Sequence, residues 1–316
     1  MAATVPEDLL AAARGGDRGA LARLISIIER GGEEARQVGR AAHGLRIDAT
    51  TIGITGAPGA GKSTLTSALL ETVRAGGDPI AVLAIDPSSP FSGGALLGDR
   101  VRMGEHALDD GVFIRSMATR GHLGGLAVAA PEAVRVLAAA GYPWVILETV
   151  GVGQVEIDVM AQADTTVVVV TPGWGDAVQA NKAGLMEIAD VFVINKADRP
   201  GANDTRRDLE NMLEMTATPE GGWRPPIVET VAAKSDGVDL LWSAVADHKR
   251  FLEKGGLLAQ RRARRLSDEL RSILVHRLEE RATNSASGPT FDELHADVVA
   301  RRLDPYSAAD RLLDSL

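Results

Sequence analysis

The feature that most restricts the fold of this chain is a glycine-rich loop at residues 56–63. It follows an apolar run at residues 51–55 and precedes a helical pattern. The loop and the residue after it read Gly56, Ala57, Pro58, Gly59, Ala60, Gly61, Lys62, Ser63 and Thr64. Glycine lets backbone N–H groups point at phosphate oxygens, where a Cβ would obstruct the approach. The order of strand, loop and helix therefore predicts a phosphate-binding loop, or P-loop.

The last residues of this loop suggest what it binds. We expect Lys62 to reach the β- and γ-phosphates of a nucleotide and to act in catalysis, while the Ser63 hydroxyl binds Mg2+. The helix that begins here adds its N-terminal dipole to the anion site. The loop thus predicts a nucleoside triphosphate bound together with Mg2+.

Short apolar runs alternate with helical stretches around this loop. Most of the runs are rich in Val and Ile and lack polar alternation, which is typical of strands buried on both faces of a parallel sheet. They lie at residues 51–55, 80–85, 112–114, 144–147, 165–170, 191–194 and 227–230. Repeated βα units predict an α/β P-loop fold with a doubly wound, mostly parallel sheet. Its ligand should lie at the carboxyl ends of the strands.

Helical patterns flank this domain on both sides. We predict an N-terminal helical extension at residues 1–47, a nucleotide-binding domain at residues 48–254 and a C-terminal helical arm at residues 255–316. Apolar residues share one helical face of the arm: Leu266, Leu270, Ile273, Leu274 and Leu278. That face fits a dimer or docking surface, or packing on the nucleotide-binding domain. Thr290 is predicted to cap a later helix of the arm.

The identity of the base is indicated by Asn195-Lys196-Ala197-Asp198, which follows an apolar run. A carboxylate at Asp198 can accept hydrogen bonds from guanine N1 and N2, and adenine lacks both donors. We expect Lys196 to pack along the base and Asn195 to brace the loop. Three residues after the apolar run at 227–230 could offer a backbone N–H to guanine O6: Ala232, Ala233 and Lys234. The pattern predicts that the nucleotide is GTP or GDP.

Carboxylates that could face the metal and the γ-phosphate follow two other runs. Asp86 and Glu148 sit at predicted strand ends, and Asp99 lies in the loop between them. We expect these three residues to be catalytic or Mg2+-binding, and Gly151 to donate its N–H to the γ-phosphate. Asp86 could instead begin a turn, and Asp99 could cap a helix.

Composition excludes several other classes of function. The chain has no cysteine, which excludes disulfides, a thiol nucleophile and thiolate metal sites. A net charge of -9 argues against a nucleic-acid partner, since phosphate binding needs a basic surface. No apolar run approaches the ~20 residues that cross a bilayer, and no secretory signal pattern is visible. We therefore expect a cytoplasmic protein that binds neither nucleic acid nor membrane.

Longer motifs resemble one known family. They include Ile85-Asp-Pro-Ser-Ser-Pro90, Glu148-Thr-Val-Gly-Val-Gly-Gln-Val-Glu156, and residues 93–103, 120–126 and 175–182. Together with the guanine motif, these segments make the chain similar to the MeaB family, the GTPase chaperones of methylmalonyl-CoA mutase. An older description of that family is an arginine/ornithine transport kinase, ArgK.

The resemblance implies several further expectations. Such proteins couple GTP hydrolysis to the loading or protection of adenosylcobalamin on the mutase, and they are homodimers through C-terminal helices. Asp86 and Asp99 match acidic switch positions of the family, and Glu148 matches its usual Glu. A third switch loop, which signals to the mutase, is matched by Asp176, Gln179 and Lys182. We expect a bacterial protein with methylmalonyl-CoA mutase as its partner.

Two other functions share part of this pattern. A metal-insertion GTPase for a nickel enzyme shares the Glu-containing motif, but such proteins typically add His-rich or Cys ligands, and this chain has no Cys and six His. A kinase linked to amino-acid transport would need an acceptor pocket with a base, and nothing in the sequence marks one. The mutase chaperone is therefore the leading interpretation.

Overall fold

The structure is a computed structural model that describes residues 6–86, 106, 108–118, 123–149, 160–173, 187–215, 221–285 and 288–314. The chain forms two compact units, Met1–Arg265 and Leu266–Leu316. The division into three domains that we drew from the sequence remains a prediction.

A seven-stranded sheet forms the centre of the first unit. Its strands are β1 (Thr50–Gly56), β2 (Ile80–Asp86), β3 (Val112–Ala118), β4 (Trp144–Thr149), β5 (Thr165–Val170), β6 (Val191–Asn195) and β7 (Ile227–Thr230). Their order is β3-β2-β4-β1-β5-β6-β7, and every neighbouring pair runs parallel. The predicted α/β fold with a parallel sheet is confirmed.

Helices precede, separate and follow the strands along the chain. They are α1 (Pro6–Arg14), α2 (Arg18–Arg30), α3 (Gly32–Gly44), α4 (Lys62–Ala75), α5 (Leu123–Ala139), α6 (Ala202–Met215), α7 (Val238–Lys254), α8 (Leu257–Ser285), α9 (Pro289–Val299) and α10 (Pro305–Leu313). A short 3₁₀ helix spans Ala232–Lys234. Of the helices in the described part of the chain, none is long and apolar enough to cross a bilayer.

The strands lack polar alternation because both faces of the sheet are covered. On one face, Leu83 and Val145 share an apolar core with residues of α1, α2, α3 and α5. On the other face, Val82 and Ile146 share a second core with residues of α4 and α7. All four side chains are fully buried. Successive residues of one strand therefore enter different cores, as the pleat of a strand requires.

The parallel arrangement brings the predicted motifs to one edge of the sheet. β1 ends at Gly56, β4 ends one residue after Glu148, and β6 ends at Asn195. Since all strands point the same way, these ends meet at the carboxyl edge. The fold thus places the P-loop, Glu148 and the guanine motif (Asn195-Lys196-Ala197-Asp198) together.

The second unit contains α8 from Leu266 onward, α9 and α10. Asp304 caps α10, and its carboxylate accepts hydrogen bonds from the backbone N–H groups of Tyr306 and Ser307, both at 3.0 Å. The predicted cap of α9 at Thr290 is wrong, because Gly288 is the N-cap and Pro289 the first helical residue. Proline suits that position, since its φ is preset and its missing N–H would have no partner there.

Candidate nucleotide-binding site

Backbone geometry explains two of the P-loop glycines. Gly56 has φ +143° and Gly61 has φ +88°, values that L side chains rarely adopt. A Cβ at Gly56 would overlap the carbonyl oxygen of Val169, and one at Gly61 would meet the Asn195 amide. At these two positions the loop therefore lies directly against β5 and the end of β6, with no room for a Cβ.

Lys62 is held inside this loop. Its side chain is buried, and Nζ donates hydrogen bonds to the carbonyl oxygens of Gly56 at 2.6 Å and Ala57 at 3.1 Å. A buried ammonium group needs compensating partners, and a phosphate is the strongest that a nucleotide offers. The described loop thus fits an anionic ligand.

A hydroxyl and a carboxylate meet beside the loop. Ser63 Oγ donates a hydrogen bond of 2.6 Å to Glu148 Oε1, and Glu148 is only 2% exposed. Both are oxygen donors, which Mg2+ prefers, and this ion usually takes one or two protein groups plus phosphates and water. In the described residues no group of three or more His, Cys, Asp or Glu side chains is arranged to hold a metal. The donor pair Ser63–Glu148 fits Mg2+ bound jointly with a nucleotide.

Asn195 joins three loops at this edge. Its Nδ2 donates to the Ala60 carbonyl at 2.8 Å, and its Oδ1 accepts from the Ala232 N–H at 3.1 Å and from Thr230 Oγ1 at 3.2 Å. The side chain is 2% exposed. The P-loop, the guanine motif and the turn at Ala232–Lys234 are therefore held as one unit.

The other polar residues of the guanine motif are less buried than Asn195: Lys196 is half-buried and Asp198 is exposed. Lys196 has φ +60°, and its Nζ donates to the Gly59 carbonyl at 2.7 Å. Lys234 Nζ lies 3.2 Å from Asp198 Oδ2, and the Asp198 side chain is 44% exposed. An exposed ion pair of this kind contributes little energy, about 0–1 kcal/mol. The Asp198 carboxylate is thus accessible to a base at the mouth of the site.

Several predicted site residues lie outside the described residues. Asp86 ends β2, but its side chain is not described. Five other predicted residues are not among the described ones: Asp99, Gly151, Asp176, Gln179 and Lys182. Their assignments stay predictions.

Two contacts near the site were not predicted from the sequence. Thr149 Oγ1 donates to Thr55 Oγ1 at 3.2 Å behind the P-loop, and both side chains are buried. Ser67 Oγ on α4 lies 2.8 Å from His106 Nε2. These pairs are 94 and 39 residues apart in the chain, so no local motif marks them. The only local signal is that Thr55 and Thr149 adjoin Gly56 and Glu148.

Comparison with known proteins agrees with this geometry. Residues 21–287 match the family described as methylmalonyl Co-A mutase-associated GTPase MeaB. A Pyrococcus abyssi protein named as a GTPase is 48% identical over 98% of this chain and 96% of its own length. The Escherichia coli GTPase ArgK is 41% identical over 70% of this chain and 67% of its own length.

A solved structure resembles the whole chain. It is described as a LAO/AO transport system kinase, shares 26% sequence identity with a TM-score of 0.71, and the match covers 98% of this chain and 97% of that one. Together with the P-loop and the guanine motif, the family match identifies the chain as a GTP hydrolase. The protein belongs to the MeaB/ArgK family of GTPases.

Proposed function

We propose that this GTPase is a chaperone of an adenosylcobalamin-dependent methylmalonyl-CoA mutase and couples GTP hydrolysis to cofactor loading or protection. The observation that carries the proposal is the extent of the family match, residues 21–287. The match includes most of helix α2 and all of α8 as well as the nucleotide-binding sheet. A match of this extent supports a function specific to the family and not only the nucleotide chemistry common to P-loop proteins.

The site residues have separate roles in this proposal. Asp198 accepts hydrogen bonds from guanine N1 and N2, and Lys62 donates to the β- and γ-phosphate oxygens as charge develops there. Ser63 and Glu148 hold Mg2+, which when bound neutralises phosphate charge. Glu148 is buried, and the hydrogen bond from Ser63 Oγ to its Oε1 fixes the position of the carboxylate.

Hydrolysis in the presence of the partner tests the chaperone proposal. We expect purified methylmalonyl-CoA mutase to raise the rate of GTP hydrolysis by about 10-fold or more, equivalent to about 1.4 kcal/mol in the activation barrier. Phosphate release would be measured with GTP and with ATP, with and without the mutase. An unrelated adenosylcobalamin-dependent enzyme serves as the control. If the mutase neither forms a complex with this protein nor stimulates its GTP hydrolysis, the chaperone proposal is contradicted. The GTPase assignment would remain intact.

We also propose that the chain forms a homodimer through α8. Large apolar side chains are exposed at four-residue spacing within the second unit: Leu266 (47%), Leu270 (67%), Leu274 (58%) and Leu278 (51%). Residues four apart lie on one side of a helix, and a continuous apolar stripe of this kind marks an interaction surface. A second copy of the same stripe is the simplest partner, since a two-fold interface pairs a patch with itself.

Charged substitutions in the stripe test the dimer. We expect the double variant Leu270→Glu, Leu274→Glu to elute as a monomer of 33.2 kDa in light scattering, whereas the parent protein has twice that mass. Ser272→Glu adds one negative charge on the opposite side of the helix and should remain dimeric. A parent protein that is monomeric at micromolar concentration would show that the stripe has another occupant.

A further inference from the structure

A buried carboxylate lies at the start of β5, on the edge of the sheet opposite the nucleotide site. Asp164 precedes the strand and is 2% exposed. Its Oδ2 accepts hydrogen bonds from the Thr51 N–H at 3.1 Å and from Arg262 Nη2 at 2.8 Å. Arg265 also pairs with its Oδ1. Asp164 thus connects the beginning of β1 to two arginines of α8.

A second buried carboxylate repeats this arrangement at the start of β6. Asp190 Oδ2 accepts from the Thr166 N–H at 2.9 Å, and its Oδ1 lies 3.1 Å from Arg261 Nη2. The fully buried His248 of α7 places Nε2 at 3.2 Å from the same Oδ1 and Nδ1 at 2.9 Å from Thr165 Oγ1. Asp190 thus connects the starts of β5 and β6 to α7 and α8.

The arginines come from one short stretch of α8, which still belongs to the first unit. Side-chain exposure decreases along this stretch, from 43% for Arg261 and 26% for Arg262 to 17% for Arg265. Arg262 makes two further contacts, with Asp48 Oδ2 at 3.0 Å and the Ala49 carbonyl at 2.9 Å. One stretch of helix therefore supplies every guanidinium group described above.

The charges compensate each other although the carboxylates are buried. Burial alone would raise the pKa of Asp164, but the guanidinium groups of Arg262 and Arg265 hold it below its usual value. Burial likewise opposes ionisation of Asp190, and His248 together with Arg261 keeps the pKa of that carboxyl low. Both carboxylates are thus ionised at neutral pH, and the loss of a partner would leave a buried charge uncompensated.

We propose that Asp164 and Asp190 form an ionic clasp with Arg261, Arg262 and Arg265, which fixes the first turns of α8 to the amino edge of the nucleotide-binding sheet. The two carboxylates position the first turns of α8. The same strands carry the nucleotide motifs at their other ends, since β1 leads into the P-loop and β6 into the guanine motif. At about 3.3 Å per residue, the two edges lie roughly 15–20 Å apart. Breaking the clasp releases residues 257–265 and leaves the nucleotide edge folded.

Hydrogen exchange of the full-length protein tests the clasp. In Asp190→Asn and in Asp164→Asn, which keep the side-chain shape, we expect amides of residues 257–265 to exchange about 10-fold faster or more, because the local opening energy decreases. Amides of α4 and the dissociation constant for GDP should change less than about 2-fold. Arg264→Gln is the matched control, since Arg264 lies in the same stretch and has no ion pair within the described residues.

Variants on the arginine side keep the test valid if a buried Asn prevents folding. Arg261→Gln should accelerate exchange in the same segment. In the double variant Asp190→Asn, Arg261→Gln, the acceleration should be smaller than the product of the accelerations in the two single variants, as expected for a coupled pair. Unchanged exchange at residues 257–265 in all variants would overturn the clasp. An equal acceleration in α4 would overturn it too, because the effect would then be global.

Discussion

The variant Asp198→Asn is expected to bind GDP about 100-fold more weakly and to bind xanthosine diphosphate more tightly than the parent protein does. In the proposed site, the carboxylate of Asp198 would offer two acceptor oxygens to the N1–H and N2 amino group of guanine. An Asn side chain offers one acceptor and one amide donor, so its donor would face a guanine donor. A lost charge-assisted hydrogen bond of this kind costs about 2–3 kcal/mol, which corresponds to ~100-fold in affinity.

Xanthine makes the test specific to the base. It carries a carbonyl oxygen where guanine has its N2 amino group, and that oxygen can accept from the Asn amide. Titration calorimetry with GDP and xanthosine diphosphate would measure both affinities, and Asp204→Asn, on the exposed face of α6, is the control. The ion pair with Lys234 is exposed, so its loss alone accounts for at most ~1 kcal/mol and for no gain toward xanthine. Equal GDP affinities of variant and parent would remove the guanine-reading role from Asp198.

The variant Lys62→Met is expected to lower kcat for GTP hydrolysis by about 1,000-fold, or about 4 kcal/mol in the barrier. Met retains much of the length of the lysine stem but cannot donate to phosphate oxygens as their charge increases. The carbonyl oxygens of Gly56 and Ala57 accept hydrogen bonds from this ammonium group and hold it within the loop. Groups fixed in advance in this way contribute most to catalysis.

Single-turnover kinetics at saturating GTP would separate this effect from weaker binding. Lys254→Met is the control, because this exposed lysine at the end of α7 lies outside the candidate site. Thermal unfolding of both variants would verify that the fold is intact. A kcat within 10-fold of the parent would show that Lys62 does not stabilise the transition state.

Much of the sheet could be predicted from the sequence, since strands buried on both faces are continuously apolar. The end of β3 was missed, because the prediction stopped at Ile114 and the strand continues to Ala118. Arg115 interrupts the apolar pattern, and its Nη2 donates to Ser26 Oγ at 2.8 Å. β3 is an edge strand, where a polar side chain can reach a partner outside the sheet.

The candidate site was likewise only partly predictable from the sequence. The P-loop and the motif from Asn195 to Asp198 are local, because one turn of chain supplies all the groups that each motif needs. The contact of Ser63 with Glu148 joins residues 85 apart. No periodicity in the sequence predicts which strand lies beside β1, so the choice of Glu148 as the partner of Ser63 required the sheet order.

By itself, the sequence determined the class of fold, the phosphate loop and the guanine motif, since these follow from backbone freedom, hydrophobic period and hydrogen-bond chemistry within short segments. Only the tertiary structure decided that Asn195 joins three loops and that Asp164 and Asp190 bind α8 to the far edge of the sheet. Arg261 lies 71 residues from Asp190 in the chain, and Arg262 lies 98 residues from Asp164. A charge so distant in the chain leaves no local pattern, and it becomes a partner only when packing buries both groups together.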